Sequence, residues 1–496
     1  MTLKRIFLIG ITAIALLFLG TDLVESFSKP QFQGRLALYE SDLKLHLSEF
    51  KGTDETSQQL KEMMEDSTSP VSAALTEYQA AQKQVQATLA APEIQPGDRK
   101  AQQKNLEELT LRLGLLQVQS GKLEVAQQSW AALTTTAQTS SQARQAATVL
   151  NGLWNDPPRV LADAEPTLMK SLDGWYEYRS IDRLYEVQDH TSDRKNLQQK
   201  ERATAESVLT KLSISGITTT ASLGAGLILI LGTLGQFAWK REESWLGNLN
   251  QNQWAVPWDW EDTWLVMVAG FFLVGQIVVG IFIAPLLRTL AIALKAEFLL
   301  TDDVYKGILI LSSYVALAAG SISVLYFTIK KHLPLDKTWF RVSTSGAWFP
   351  WGLGGYLVAF PLVIGVSVLN SQIWHGQGGS NPLLPIVLEG RSPVALALFL
   401  VTTAIAAPVF EEILFRGFLL PSLSRYFSTW NSVLLSGFIF ALVHLSLSEV
   451  LPLMVLGIVL GFVYARTQNL LASILLHSLW NAGTILSLYL LGSAGR

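Results

Sequence analysis

Six side chains near the C-terminal end of this chain are of types that do chemistry: Glu411, Glu412, Arg416, His444, His477 and Asn481. In Ala407-Pro408-Val409-Phe410-Glu411-Glu412-Ile413-Leu414-Phe415-Arg416, Glu412 and Arg416 are four apart, so on a helix they share a face and can pair. Glu411 is rotated by about 100° from its neighbour and is not neutralised in the same way. One carboxylate is then structural support, and the other is left over to act as a general base. His477 and Asn481 are again four apart, and Phe440 and His444 repeat the spacing. A carboxylate and an imidazole can activate water. A second imidazole and an amide can donate hydrogen bonds to a developing oxyanion. Alternatively, Glu411, His444 and His477 could ligate zinc, because two histidines and a glutamate form a catalytic zinc set. No His-Glu-x-x-His run is present. The chain has no cysteine, which excludes a thiolate nucleophile, thiolate metal sites and disulfides.

These groups need apolar helices to position them. His444 and His477 lie within apolar runs, whereas His46, His190, His332 and His375 lie in soluble or loop segments. Ionisable groups in hydrocarbon are costly and persist when paired or functional. A helix needs about 20 residues to cross. The apolar runs predict spans at roughly 214–238, 263–287, 306–329, 350–370, 392–414, 431–448, 450–465 and 470–491. With an N-terminal apolar run they make about nine. The helix carrying Glu411 is expected to run to Leu420, where Pro421 ends it. At about 1.5 Å per residue, Glu411 then lies about 14 Å from that end, and His444 lies about 20 Å past Asn431. His477 and Asn481 lie about 10 and 16 Å past Leu470. Similar depths from one side predict a shared cavity open toward the cytoplasm.

Composition supports this frame. Charged residues make up 16% of the 496 residues, against about 25% in ordinary soluble chains. The deficit falls after about residue 205. Residues 1–26 carry Lys4 and Arg5 before the apolar run Ile6–Gly20 and read as a membrane anchor or signal segment. Residues 27–205 read as an exported helical soluble domain, with Leu106, Leu109, Leu113 and Leu116 at helical spacing. Leu113, Gly114, Gly121, Ala126 and Trp130 fit either half of a tetratricopeptide repeat or an ordinary helical hairpin with small residues at a crossing. Residues 206–344 read as transmembrane helices of unassigned role, and 345–496 hold the six residues. The fold class is all-α: a polytopic transmembrane helical bundle with an N-terminal helical soluble domain. Basic residues mark every second boundary: Lys240 and Arg241, then Lys330, Lys331, Lys337 and Arg341, then Arg416 and Arg425, then Arg466. The positive-inside rule places these and the N-terminus in the cytoplasm, with the soluble domain on the opposite side; Arg288 and Lys295 are exceptions. Trp239, Trp245, Trp254, Trp258, Trp260 and Trp264 read as an aromatic belt at headgroup level. The lipid bilayer is the evident partner, and residues 27–205 offer a surface for a protein partner. A formal net charge of −3 gives no reason to expect nucleic acid.

Glu411-Glu412-x-x-x-Arg416, then Phe440-x-x-x-His444, then His477-x-x-x-Asn481, each in an apolar helix, resembles the three-motif signature of the type II CAAX prenyl endopeptidases. That family is also called CAAX protease and bacteriocin-processing, or abortive-infection-like. The resemblance covers roughly residues 345–490. It implies a CAAX-protease-like intramembrane peptidase domain acting on membrane-associated protein or peptide substrates. The residue matching Glu411 would activate water with the one matching His444, and those matching His477 and Asn481 would form the oxyanion site. Glu412 and Arg416 would be structural support. The motif leaves a catalytic metal open, so zinc remains the alternative cofactor. A non-proteolytic scaffold and a proton-coupled transporter are the rival functions. Four intact polar residues weigh against the scaffold, and the lack of an inverted pair of broken helices weighs against the transporter.

Overall fold

The computed structural model describes residues 2–28, 31–50, 69–90, 96–247, 249, 254–296, 303–374, 376–381, 383–390 and 392–493; His375 lies outside them. Among the described residues there are helices and no β-strand, the all-α class expected. They form two compact units, one of residues 33–216 with 490–496, the other of residues 1–32 with 217–489.

The chain opens with α1 (Leu3–Ser28), which belongs to the second unit. The first unit is a succession of helices, α2 (Phe32–Ser48), α3 (Pro70–Ala90), α4 (Pro96–Gln119), α5 (Leu123–Thr135), α6 (Ser141–Leu153), α7 (Ala164–Ser171) and α8 (Gly174–Val187), of which α3 to α8 each pack on the next. Leu109, Leu113 and Leu116 are buried and Leu106 packs partly against the same core, which is the face their spacing predicts. Glycine at position 114 is demanded by the α4–α5 crossing. A Cβ there would lie 2.2 Å from Nε1 of the buried Trp130, whose indole donates to the Leu111 carbonyl at 3.3 Å. Next comes α9 (Thr191–Lys240), a 50-residue helix.

The second unit is apolar. Its helices are α10 (Trp260–Ala293), α11 (Asp303–Ile329), α12 (Trp348–Trp374), α13 (Leu383–Glu389), α14 (Pro393–Ser424), α15 (Thr429–Leu442), α16 (Val450–Thr467) and α17 (Leu470–Gly492). Eight helices among the described residues are long and apolar enough to cross a membrane, making this an integral, multi-pass membrane protein. The expected span 431–448 is the difference. It is the 14-residue α15, which stops at Leu442, and Leu445 then turns the chain with a φ of +58°. α15 and α16 cross where Gly437 meets Gly457; a Cβ on Gly457 would come within 2.8 Å of the Gly437 backbone. Helix α14 is the second difference. It continues through Pro421 to Ser424 instead of ending at Leu420.

The basic boundaries gather at one end of this unit. Lys4 and Arg5 pair with Asp262 and Glu261 at 2.9 and 2.7 Å, and Lys331 pairs with Asp262 at 2.8 Å. Arg425 donates to the Trp258 carbonyl, and Arg466 to those of Ser244, Trp245 and Gly247. Four of the six clustered tryptophans are exposed, as a belt requires, but Trp254 and Trp258 are buried. Trp254 stacks on Tyr464, and Trp258 lies against Phe418 and donates to Ser422 at 2.8 Å.

Candidate active site

Five of the six residues lie on two helices of the second unit, α14 and α17, and His444 lies in the turn between α15 and α16. Helix α14 carries Glu411, Glu412 and Arg416. The pitch of α14 is not uniform: Thr402–Ala406 and Glu412–Leu419 are π-helical. Each π run leads into a proline, Pro408 and Pro421, whose missing N–H breaks the i→i−4 ladder. Widening by one residue per turn absorbs the break and keeps the helix continuous. It also frees a backbone acceptor. The Ala407 N–H reaches past Thr403 to the Thr402 carbonyl, and the N–H that a π turn would offer Thr403 belongs to Pro408 and does not exist. The side-chain amide of Asn481 fills that place, donating from Nδ2 to the Thr403 carbonyl at 2.8 Å. Asn481 keeps a second amide proton and its carbonyl.

Glu412 and Arg416 are both fully buried and meet at 2.7 Å, the pairing their spacing predicts. Arg416 also donates to the Gly457 carbonyl at 3.1 Å, reachable because glycines line that crossing, and its guanidinium lies 4.5 Å over the Phe440 ring. The same carboxylate oxygen, Oε1 of Glu412, stands 2.9 Å from Nδ1 of buried His477. A carboxylate only accepts, so Nδ1 carries the proton and Nε2 points away from the pair. Nε2 lies 3.8 Å from Oε2 of Glu411.

Glu411 is bound differently. Its Oε1 accepts a hydrogen bond from the hydroxyl of Tyr314 on α11. Tyr314 is 97 residues away in sequence and was not legible there; a tyrosine inside an apolar run gives no signal of its own. Phe410, the residue before Glu411, packs edge-on to the Tyr314 ring at 6.0 Å.

His444 stands in the turn after α15 rather than within a long span. Its Nδ1 is 2.7 Å from the Phe440 carbonyl, again an acceptor only, so Nδ1–H donates and Nε2 is left with a lone pair. The Phe440 ring lies between the two imidazoles, 4.8 Å from His444 and 5.7 Å from His477. No hydrogen bond joins His444 to Glu411 among the described residues. Glu411, His444 and His477 therefore do not converge as a zinc set must. Among the described residues no three His, Cys, Asp or Glu side chains do.

Residues 393–483 match the family described as type II CAAX prenyl endopeptidase Rce1-like, a segment narrower than the 345–490 of the motif resemblance. The protein named "Putative membrane peptidase YdiL" of Bacillus subtilis is 29% identical over 136 residues, which are 27% of this chain and 54% of that protein. The "UPF0177 protein YxdF" of Lactococcus lactis subsp. lactis is 28% identical over 128 residues, 26% of this chain and 68% of that protein. The chain thus spans about half the length of YdiL. No solved structure matches. At family level these likenesses support a membrane peptidase.

Proposed function

We propose that the Rce1-like domain at residues 393–483 hydrolyses peptide bonds of membrane-associated proteins or peptides with water activated by Glu411 and His444. One observation carries the reading: the two adjacent glutamates are divided in duty. Arg416 and His477 both meet Oε1 of Glu412. Glu411 has one oxygen held by Tyr314, and Oε2 remains to take a proton.

In this scheme a water lies between Oε2 of Glu411 and the lone pair on Nε2 of His444. Its oxygen adds to the scissile carbonyl carbon and its proton passes to Glu411. The carbonyl oxygen becomes an oxyanion facing Nε2–H of His477 and the spare amide proton of Asn481. For His477 to donate from Nε2 while Nδ1–H binds Glu412, it must carry both protons. The group Glu411, Glu412, Arg416 and His477 is then electrically neutral, which burial in an apolar bundle requires. Collapse of the tetrahedral intermediate breaks the C–N bond as the Glu411 proton moves to the leaving amine. The test is cleavage of internally quenched peptides, prenylated and unprenylated, by the full chain in lipid vesicles. Glu411→Gln and His444→Ala should each lose about 10²–10⁴-fold, and Asn481→Ala about 10²–10³-fold. Cleavage should survive chelation. Wild-type rates in Glu411→Gln would sink the scheme.

The same proposal places the N-terminus and the basic end of the bundle in the cytoplasm and residues 27–205 on the opposite side. The gathering of Lys4, Arg5, Lys331, Arg425 and Arg466 at one end supports it. A reporter active only in the cytoplasm, fused near residue 100, should be silent.

A further inference from the structure

We infer that Tyr314, on a helix outside the family segment, is the positioning residue of Glu411 and decides which carboxylate oxygen takes the proton. The inference rests on the reading of Glu411 as the base. Helix α11 lies in the stretch 206–344 of unassigned role, and Tyr314 points its hydroxyl at Oε1 of Glu411. An ionised carboxylate cannot donate, so the phenol does. The ring is held as well. It packs edge-on to Phe410 at 6.0 Å and lies against the core that includes Phe271 and Leu317. Two consecutive residues of α14 are thereby fixed by one side chain of α11.

The consequence is geometric. A free glutamate in this place could turn either oxygen inward. With Oε1 committed to Tyr314, Oε2 is the oxygen left to face Nε2 of His477 at 3.8 Å, the side where the oxyanion would form. A hydrogen bond to a charged group also removes rotational freedom from the base before substrate arrives. Arg416 offers no substitute, because Nη1 and Nη2 donate to Glu412 and the Gly457 carbonyl and no hydrogen bond joins it to Glu411 among the described residues. Tyr314 touches neither water nor substrate in this arrangement; it acts through Glu411.

The test is Tyr314→Phe in the full chain, which keeps the ring packing and deletes the donor. Turnover of the quenched peptides should fall about 10- to 100-fold, the loss expected for a hydrogen bond to a charged group, with KM changed by less than about twofold. A second arm needs no substrate. Infrared difference spectroscopy of the protein in lipid assigns the Glu411 carboxylate band by its disappearance in Glu411→Gln. That band should move in Tyr314→Phe, and move again when 3-fluorotyrosine, a stronger acid of nearly the same shape, is incorporated at position 314. The fluorinated protein keeps the test open if the Phe variant does not accumulate. A merely structural role for Tyr314 would lower stability and leave the band where it is. An unmoved band in the folded variants overturns the inference, whatever the rate. Wild-type turnover in Glu411→Gln would instead overturn the reading of the base, whereas an inactive Glu411→Gln beside a fully active Tyr314→Phe overturns only the role of Tyr314.

Discussion

The sequence Glu-Glu-x-x-x-Arg occurs twice in this chain. Glu107, Glu108 and Arg112 form one copy on α4, in the first unit, and Glu411, Glu412 and Arg416 form the other on α14, in the second. In both copies the second glutamate meets the arginine at 2.7 Å. Surroundings separate them. In the α4 copy the side chains of Arg112 and Glu108 are 16% and 45% exposed, and Arg112 divides itself among Glu108, Asp173 and Asp42. The first glutamate, Glu107, is consumed in holding a helix cap: its carboxylate takes the backbone N–H of Ser140 at 3.0 Å and its hydroxyl at 2.6 Å, and Ser140 caps α6. In the α14 copy the pair is wholly buried, and the first glutamate keeps an oxygen for a proton. Spacing therefore supplies the ion pair in either place, and the environment decides whether the leftover carboxylate holds a helix cap or keeps an oxygen free for the proposed role of base.

Breaking each pair should expose that difference. Glu412→Gln leaves Arg416 charged and without its carboxylate in an apolar interior, at a cost of about 3–5 kcal/mol. The full chain should show sharply reduced thermal stability and abundance. An equal loss in Glu411→Gln would erase the proposed division of duty. A smaller effect is expected at Asp42, beside Arg112. Burial pushes its carboxyl up to about 6, although Arg112 and hydroxyls from Tyr78 and Tyr176, at 2.7 and 2.9 Å, pull the other way. The folded value lies above the ordinary 3.8. The stability Asp42 contributes is therefore complete below about pH 3.8 and is lost as pH rises through about 6. Asp42→Asn, which keeps an acceptor for both hydroxyls, should raise hydrogen-exchange protection of α2 at pH 7 relative to wild type and abolish the gain wild type shows on acidification to pH 5. The smallest effect belongs to Glu108→Gln, about 0.2–1 kcal/mol, because its pair is half in solvent. A loss there as large as in Glu412→Gln would end the comparison.

The same contrast explains what the sequence could disclose. The Glu412–Arg416 pair follows from one helical period, and the apolar runs locate the helices that carry the site. His477 on Glu412 joins residues 65 apart, and Tyr314 on Glu411 joins residues 97 apart. No local rule reaches such distances, and neither partner breaks the pattern of its own helix. The end of α15 is hidden because Val443-His444-Leu445-Ser446-Leu447-Ser448 carries no proline, glycine, aspartate or asparagine to mark a turn, and the turn rests on the φ of Leu445. Pro421 misled for a different reason. The rule that proline stops a helix assumes α pitch, and the π run before it supplies the slack that the rule denies.

The missing N–H of Pro408 has a hereditary consequence. It leaves the Thr403 carbonyl to Asn481, 78 positions away, so two distant codons specify one object. Restoring an amide proton with Pro408→Ala would let the backbone reclaim that carbonyl and set the Asn481 side chain adrift. Replacing Asn481 would strand the carbonyl in apolar surroundings. In a lineage, drift at either position changes the selective value of the other, and the two are expected to be kept or lost together.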